Sequence, residues 1–356
     1  MSNIPVYWKT RLDEVEETLK LVKKGTVTEV GKSAGGRPVY KVEYGKSNLP
    51  KGTSDNVSSA LGARNIKAFA DKSGADYIPT AFIVGCVHGG EFEGTSAILN
   101  MIKQIETGTD YNGERNDELV ALAERVHLVI IPMANPDGRS HIPFDSFVGK
   151  TFNDLRYYNQ GTWKNGELCG WPGCKMKHPI KDYVDYLGGY FNDDGVNMMH
   201  EDFFGGNLST GTRAVLDVCR KDAPDFSVLL HGGDNCTNHM LAPDYGSLKA
   251  KKEVYELSLA YKEVCVANNV RFTVMGIPEG ENRPDSPVAF NLPSAMHHCC
   301  SEPAVTFESN QGLTDKGDVI YSYEEIYKAH ALLFGEIFKF VLNFSQVVPA
   351  PLSHDI

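Results

Sequence analysis

The chain has 356 residues, 42% hydrophobic and 23% charged, which fits a soluble globular protein of one large α/β domain or two smaller ones. Its 35 basic and 46 acidic residues give a formal net charge of −11, which excludes wholesale binding to nucleic acid or to an anionic membrane. No apolar run approaches the roughly 20 residues needed to span a bilayer, and the start MSNIPVYWKT lacks the basic region and apolar core of a secretion signal.

Residues 11–24 read as an amphipathic helix, with Leu12, Val15, Leu19 and Val22 at helical spacing, acidic residues early and lysines late. TVTEVG and PVYKVEYG then read as two strands joined by the turn KSAGGR. Four later apolar runs have the look of buried strands: 79–87, 126–133, 225–230 and 303–307. Helical patterns fall at about 92–105, 210–222, 248–268 and 322–343. Alternating strands and helices predict a mostly parallel or mixed sheet covered on both faces. No repeat and no Pro/Gly-rich linker divides the halves, so one domain over 1–356 is expected. Residues 138–195, rich in Gly, Tyr, Trp and Asn, break the periodicity and predict a long irregular insertion. The 8 cysteines are scattered apart from Cys299-Cys300, so reduced thiols and a cytoplasmic location are expected.

The four runs end on residues that carry chemistry. The first is followed by His88 and Glu91 (HGGE), the second by NPDG at 135–138, the third by His231, and the fourth by Glu308 (TFE). If these strands run parallel, their carboxyl ends deliver two histidines and two glutamates to one edge, where ligands of open α/β sheets bind. Two histidines and one glutamate with an open fourth position suit a catalytic Zn²⁺. A further carboxylate that does not ligate can take the proton of an activated water and pass it to a leaving amine.

HGGE (88–91), NPDG (135–138), GVN (195–197), the strand-ending His231 and TFE (306–308) stand in the order and rough spacing of the M14 zinc carboxypeptidases, which this chain resembles from about residue 8 to about 343. The early GKSAGGRPVY (31–40) also looks like that family's first hairpin. The resemblance implies an α/β/α sandwich around a mixed, mostly parallel sheet of about eight strands. It implies one zinc per chain, held by His88, Glu91 and His231, with Glu308 as general base and acid. The expected activity is hydrolysis of a peptide or amide bond.

The pattern departs at GVNMMHEDFF. Asn197 stands where the family has aspartate, Met199 where it has asparagine, and His200 where an arginine grips the substrate carboxylate. Asn197 can still accept a hydrogen bond from a zinc-bound imidazole, without the charge that raises ligand basicity. His200 lacks the bidentate fork of arginine, and Glu201 and Asp202 beside it are expected to discourage an anion. Asn197 and His200 are kept as candidate substrate contacts. Arg156 is the first candidate for oxyanion stabilisation and Arg139 the second. Arg213, Arg283 or the 138–195 segment are alternative carboxylate clamps. No tyrosine lies between Tyr261 and Tyr321, so the tyrosine that the family places before its base has no counterpart.

Several clusters are read as structural: HHCC (297–300) as packing or a turn, CGWPGC (169–174) with His178 as a loop, and His239 as a satisfied loop histidine. Asp234 and Asn235 either orient His231 or form a turn. Two other functions stay open beside a metallocarboxypeptidase: a zinc amidase or deacylase acting on a small acylated molecule or cell-wall peptide fragment, and a zinc-binding module without turnover.

Overall fold

The computed structural model describes residues 4–233, 237–276, 288–315 and 320–344. Asp234, Asn235 and Arg283 lie outside the described residues.

Seven strands form the main sheet: β1 (Thr26–Lys32), β2 (Pro38–Tyr44), β3 (Thr80–Gly85), β4 (His127–Ile131), β7 (Phe226–Gly233), β8 (His239–Leu241) and β9 (Ala304–Asn310). Between β4 and β7 in sequence, β5 (Thr162–Trp163) and β6 (Val184–Tyr186) make a separate antiparallel ribbon. The order across the main sheet is β1-β2-β4-β3-β7-β9-β8. The four central strands β4, β3, β7 and β9 run parallel, while β1, β2 and β8 pair antiparallel at the margins. The sheet is therefore mixed, with its parallel pairs confined to the middle, and has seven strands rather than eight among the described residues.

Alternation along the central strands separates two cores. Ala81, Ile83, Leu128, Ile130, Val228, Leu230, Val305 and Phe307 face helices Phe92–Thr107, Leu248–Ala267 and Tyr323–Phe344. Phe82, Val84, Val129, Ile131 and Leu229 face the other way, against helices Val57–Gly62, Thr210–Asp222 and Leu292–Cys300. Every residue of β3 and β4 is buried, as expected of strands covered on both faces. The result is the three-layer α/β/α sandwich.

The 138–195 segment is irregular but not loose. It carries a short helix (Phe152–Leu155), a π-helical turn (Arg156–Gln160), the β5/β6 ribbon and its own small core of Cys169, Cys174, Ile180, Val184 and Phe191. No helix among the described residues is long and apolar enough to cross a membrane.

Candidate metal centre

Because β3, β7 and β9 run parallel, their carboxyl ends share one edge of the sheet. The ladder of β3 ends at Gly85, and the chain turns through Cys86–Gly90 before helix Phe92–Thr107 begins, with Glu91 as its N-cap residue. The Glu91 side chain makes no capping bond and points into the site instead. His231 lies inside β7, and β7 and β9 pair it directly with Glu308. β8 adds His239 on the other side of Glu308, which stands mid-strand rather than at a strand end.

These elements bring His88, Glu91 and His231 together with their ligand atoms all within 4.8 Å of one another. His88 Nδ1 lies 2.8 Å from Glu91 Oε1, and His231 Nδ1 lies 2.6 Å from Glu91 Oε2. The rings of His88 and His231 meet edge to face at 4.9 Å, and all three side chains are buried. No second cluster of three such donors exists among the described residues.

Asn197 fixes how His88 presents itself. Its side-chain oxygen accepts from the Met199 backbone N–H at 3.0 Å, which settles which end of the amide is oxygen. The same oxygen lies 3.2 Å from His88 Nε2, so Nε2 carries the hydrogen and donates. In the neutral ring Nδ1 then holds a lone pair, aimed at Glu91 Oε1. Burial is the largest influence on His88 and lowers its pKa, while at Glu91 the charges of His88 and His231 outweigh burial and hold the carboxyl down at about 2. With the ring neutral, as a metal ligand must be, Nδ1 would present its lone pair to the Glu91 carboxylate 2.8 Å away. Such a contact is repulsive unless a cation lies between them. Among the described residues the polar neighbour of Glu91 Oε2 is His231 Nδ1, at 2.6 Å. This donor set fits a borderline-soft divalent ion such as Zn²⁺. At His231 burial pulls the pKa down, but the charge of Glu91 prevails and the net shift is upward.

NPDG works as scaffold. Asn135 Oδ1 caps the short helix Pro136–Ser140 through Gly138 N, and its Nδ2 reaches Val87 O at 3.3 Å, just before His88. Asp137 accepts from Ser33 Oγ, Gly35 N and Arg37 of the first hairpin turn, and from Asp193 N. The motif therefore ties the hairpin, the 138–195 segment and the metal-site loop together.

The departing residues resolve as follows. Met199 is buried in the core beneath helices Thr210–Asp222 and Leu292–Cys300. His200 is pushed down to about 3, by burial first and then by Lys175, His88, His178 and His231, so it stays neutral near pH 7. Glu201 turns away to accept from Ser209 and Thr212, and Asp202 caps the turn at Phe204–Gly205.

Arg156 stacks over Phe152 at 5.9 Å and lies against Gly170; no hydrogen bond or ion pair joins it to the three donors. Arg139 is buried and committed to Thr10 O, Ile142 O and Asp145. Among the described residues Arg213 reaches only Leu208 O. The HHCC histidines are packing residues: His297 joins Glu302 O to Ser247 N, and His298 contacts Tyr245 O. Cys169 and Cys174 are buried thiols, and His178 is turned to the backbone N–H of Asn197.

Sequence reasoning missed the wall of the site. Tyr190 stacks on His88 with centroids 4.0 Å apart. Asn159 accepts from Gly90 N, and its buried amide nitrogen has no partner among the described residues. Lys175 is close enough for its charge to act on Glu308, Glu91 and His200. All three come from the segment whose weak periodicity hid them; only its length was a signal.

A family model described as zinc carboxypeptidase matches residues 17–169. A sequence search of curated proteins finds no match. Solved structures are similar over nearly the whole chain. A metallo-carboxypeptidase from Burkholderia cenocepacia has a TM-score of 0.59 at 15% identity, covering 94% of this chain and 70% of that one. Carboxypeptidase A from Helicoverpa armigera has a TM-score of 0.52 at 15% identity, covering 97% and 76%. A metallo-carboxypeptidase from Pseudomonas aeruginosa, solved with (2-guanidinoethylmercapto)succinic acid, has a TM-score of 0.53 at 13% identity, covering 92% and 67%.

Proposed function

We propose, on the premise that residues 17–169 belong to the zinc carboxypeptidase family and that the chain has the metallocarboxypeptidase fold, that this metallopeptidase binds one zinc per chain at His88, Glu91 and His231 and hydrolyses a peptide or amide bond. The observation that carries the reading is the buried convergence of His88, Glu91 and His231, whose ligand atoms all lie within 4.8 Å of one another. A zinc ion there supplies Lewis acidity for an attacking water and a scissile carbonyl.

The protein's own groups divide the remaining work. Glu308, paired in register with His231, takes the proton from the attacking water and delivers it to the departing amine. Asn197 holds the His88 ring and its tautomer. Tyr190 covers one face of that ring and keeps bulk water from it. A cytoplasmic location belongs to the same reading, supported by seven described cysteines that are all free thiols.

A zinc amidase or deacylase is the second reading, favoured by Met199 and neutral His200 at the family's clamp positions. Both enzyme readings predict one zinc in the purified protein, lost in His88→Ala, and hydrolysis lost in Glu308→Gln with zinc retained. Free amino acids released from a peptide mixture would select the carboxypeptidase. A metal-free, folded wild-type protein would overturn both.

A further inference from the structure

Residues 168–181 hold three lysines, His178 and no acidic residue, in a chain whose formal net charge is −11. They fold as a lobe over a small core of their own, into which Cys169, Cys174, Ile180 and the following Val184 are buried. Between and beside those anchors the chain turns outward. Trp171 is 62% exposed, Met176 75% and Tyr183 48%. Single exposed apolar residues are ordinary, but tryptophan, tyrosine and methionine gathered on one lobe are the composition of an interface.

The lysines stand among these side chains. Lys175 Nζ lies 5.0 Å from the centre of the Trp171 ring, and Lys177 Nζ 4.9 Å from that of Tyr183. Each ammonium is held over an aromatic face, and among the described residues neither forms an ion pair. The exposed acids Glu167, Asp182 and Asp185 flank the stretch or follow it without pairing with its lysines. Backbone bonds fix the scaffold beneath: Cys174 N to Gly170 O at 2.7 Å, Tyr183 N to Ile180 O at 2.8 Å and Ile180 N to Gly195 O at 2.8 Å. A partner would meet a surface already in shape, and little would be lost in ordering it.

We propose that this lobe is a docking surface for an acidic polypeptide segment, whose carboxylates meet Lys175, Lys177 and Lys181 while its apolar side chains cover Trp171, Met176 and Tyr183. Charge selects the partner. A short carboxylate-bearing segment is attracted by the lobe and need approach no other part of the molecule. A long polyphosphate or an anionic bilayer would also present its charge to the acidic remainder of the chain and be repelled. None of these six residues is a ligand of the proposed metal, so the docking surface stands whether or not the hydrolase reading does.

The test uses the full chain with Glu308→Gln to prevent turnover. Fluorescence anisotropy would follow a labelled acidic peptide in which glutamate alternates with phenylalanine, blocked at both ends. The peptide should bind, and its affinity should fall severalfold as salt rises from about 0.1 M to about 1 M. Lys177→Glu with Lys181→Glu should weaken binding by about tenfold or more, and Trp171→Ala by about fivefold or more. These side chains are exposed, so the far-UV spectrum should not change. Lys20→Glu with Lys252→Glu alters net charge equally at exposed positions elsewhere and should leave binding within about twofold. Equal losses in the two double variants would show net charge alone at work and overturn the docking surface. So would equally tight binding of the peptide with lysine in place of glutamate, no binding of the acidic peptide, or capture by phosphatidylserine vesicles in its place.

Discussion

Gly89 and Gly138 pack backbone against backbone: a Cβ built on Gly89 would stand 1.9 Å from the carbonyl carbon of Gly138 and 2.1 Å from Arg139 N. Gly138 in turn leaves room for Gly189 O, which would lie 2.2 Å from its own Cβ, and Gly189 O accepts from Gly89 N. Three loops thus meet without side chains between them: the metal-site turn, NPDG, and the end of the irregular segment. The glycines of HGGE and NPDG serve this close approach.

Gly89→Ala should therefore force the loops apart, destabilising the protein by roughly 3 kcal/mol or more, since the obstructing atoms are backbone and cannot swing away. Gly62→Ala is the control. That position ends a helix with open space around it and should be neutral or stabilising, by up to about 1 kcal/mol. Urea denaturation of both variants checks the pair. Equal stabilities would show that the loops can yield.

Asn197 gives a test of ligand orientation apart from turnover. Asn197→Ala removes the acceptor that holds His88 Nε2–H, and zinc affinity should fall by about 10- to 100-fold in competition with a chelator. Asn197→Asp adds charge to the same contact and should bind zinc at least as tightly as the wild type. If both substitutions leave affinity unchanged, the tautomer is set by something other than Asn197.

The central sheet was legible because burial on both faces writes itself as continuous apolar runs, and β3, β4, β7 and β9 each fell on one. The cluster of His88, Glu91 and His231 was legible because each follows or ends such a run. The edge strand β8, only three residues long, left no pattern to detect. Helix Leu292–Cys300 was obscured by HHCC, where two histidines occupy positions that a sequence reader tests for metal before packing. Arg156 was chosen by its place after NPDG, and one-dimensional order says nothing of which way a π-helical turn aims a side chain. Tyr190 reaches the site only through the folding of residues 138–195 onto it, a tertiary relationship with no local period.

Metal removal should register in stability as well as activity. Stripping the ion would leave Glu91 and two imidazoles buried and crowded within 4.8 Å. Zinc at a hundred times its dissociation constant should stabilise the stripped protein by about 3 kcal/mol, raising its melting temperature by several degrees, with reversal by chelator. His231→Ala should abolish the zinc response while leaving the folded far-UV spectrum. A zinc response that survives in His231→Ala would place the ion elsewhere.

Glu253 makes stability fall with rising pH for a reason unconnected with the metal. It lies on helix Leu248–Ala267, 5% exposed, with Oε2 unpartnered and Oε1 3.4 Å from Lys249 Nζ. Lys249 also serves Glu302 at 3.2 Å. Burial is the largest influence on the carboxyl; with Glu302 nearby it outweighs the attraction of Lys249 and raises the pKa from 4.5 to about 7. Between those values the folded chain holds a proton that the unfolded chain has released. Stability contributed by this group is full below pH 4.5, declines across that window, and is lost above about pH 7. Glu253→Gln removes the titration. At pH 8 the variant should be more stable than the wild type by roughly 1–3 kcal/mol, and the difference should shrink steadily as pH falls toward 5. Denaturation curves at several pH values decide it: a gap that stays constant with pH would mean that Glu253 is ionised in the folded protein throughout.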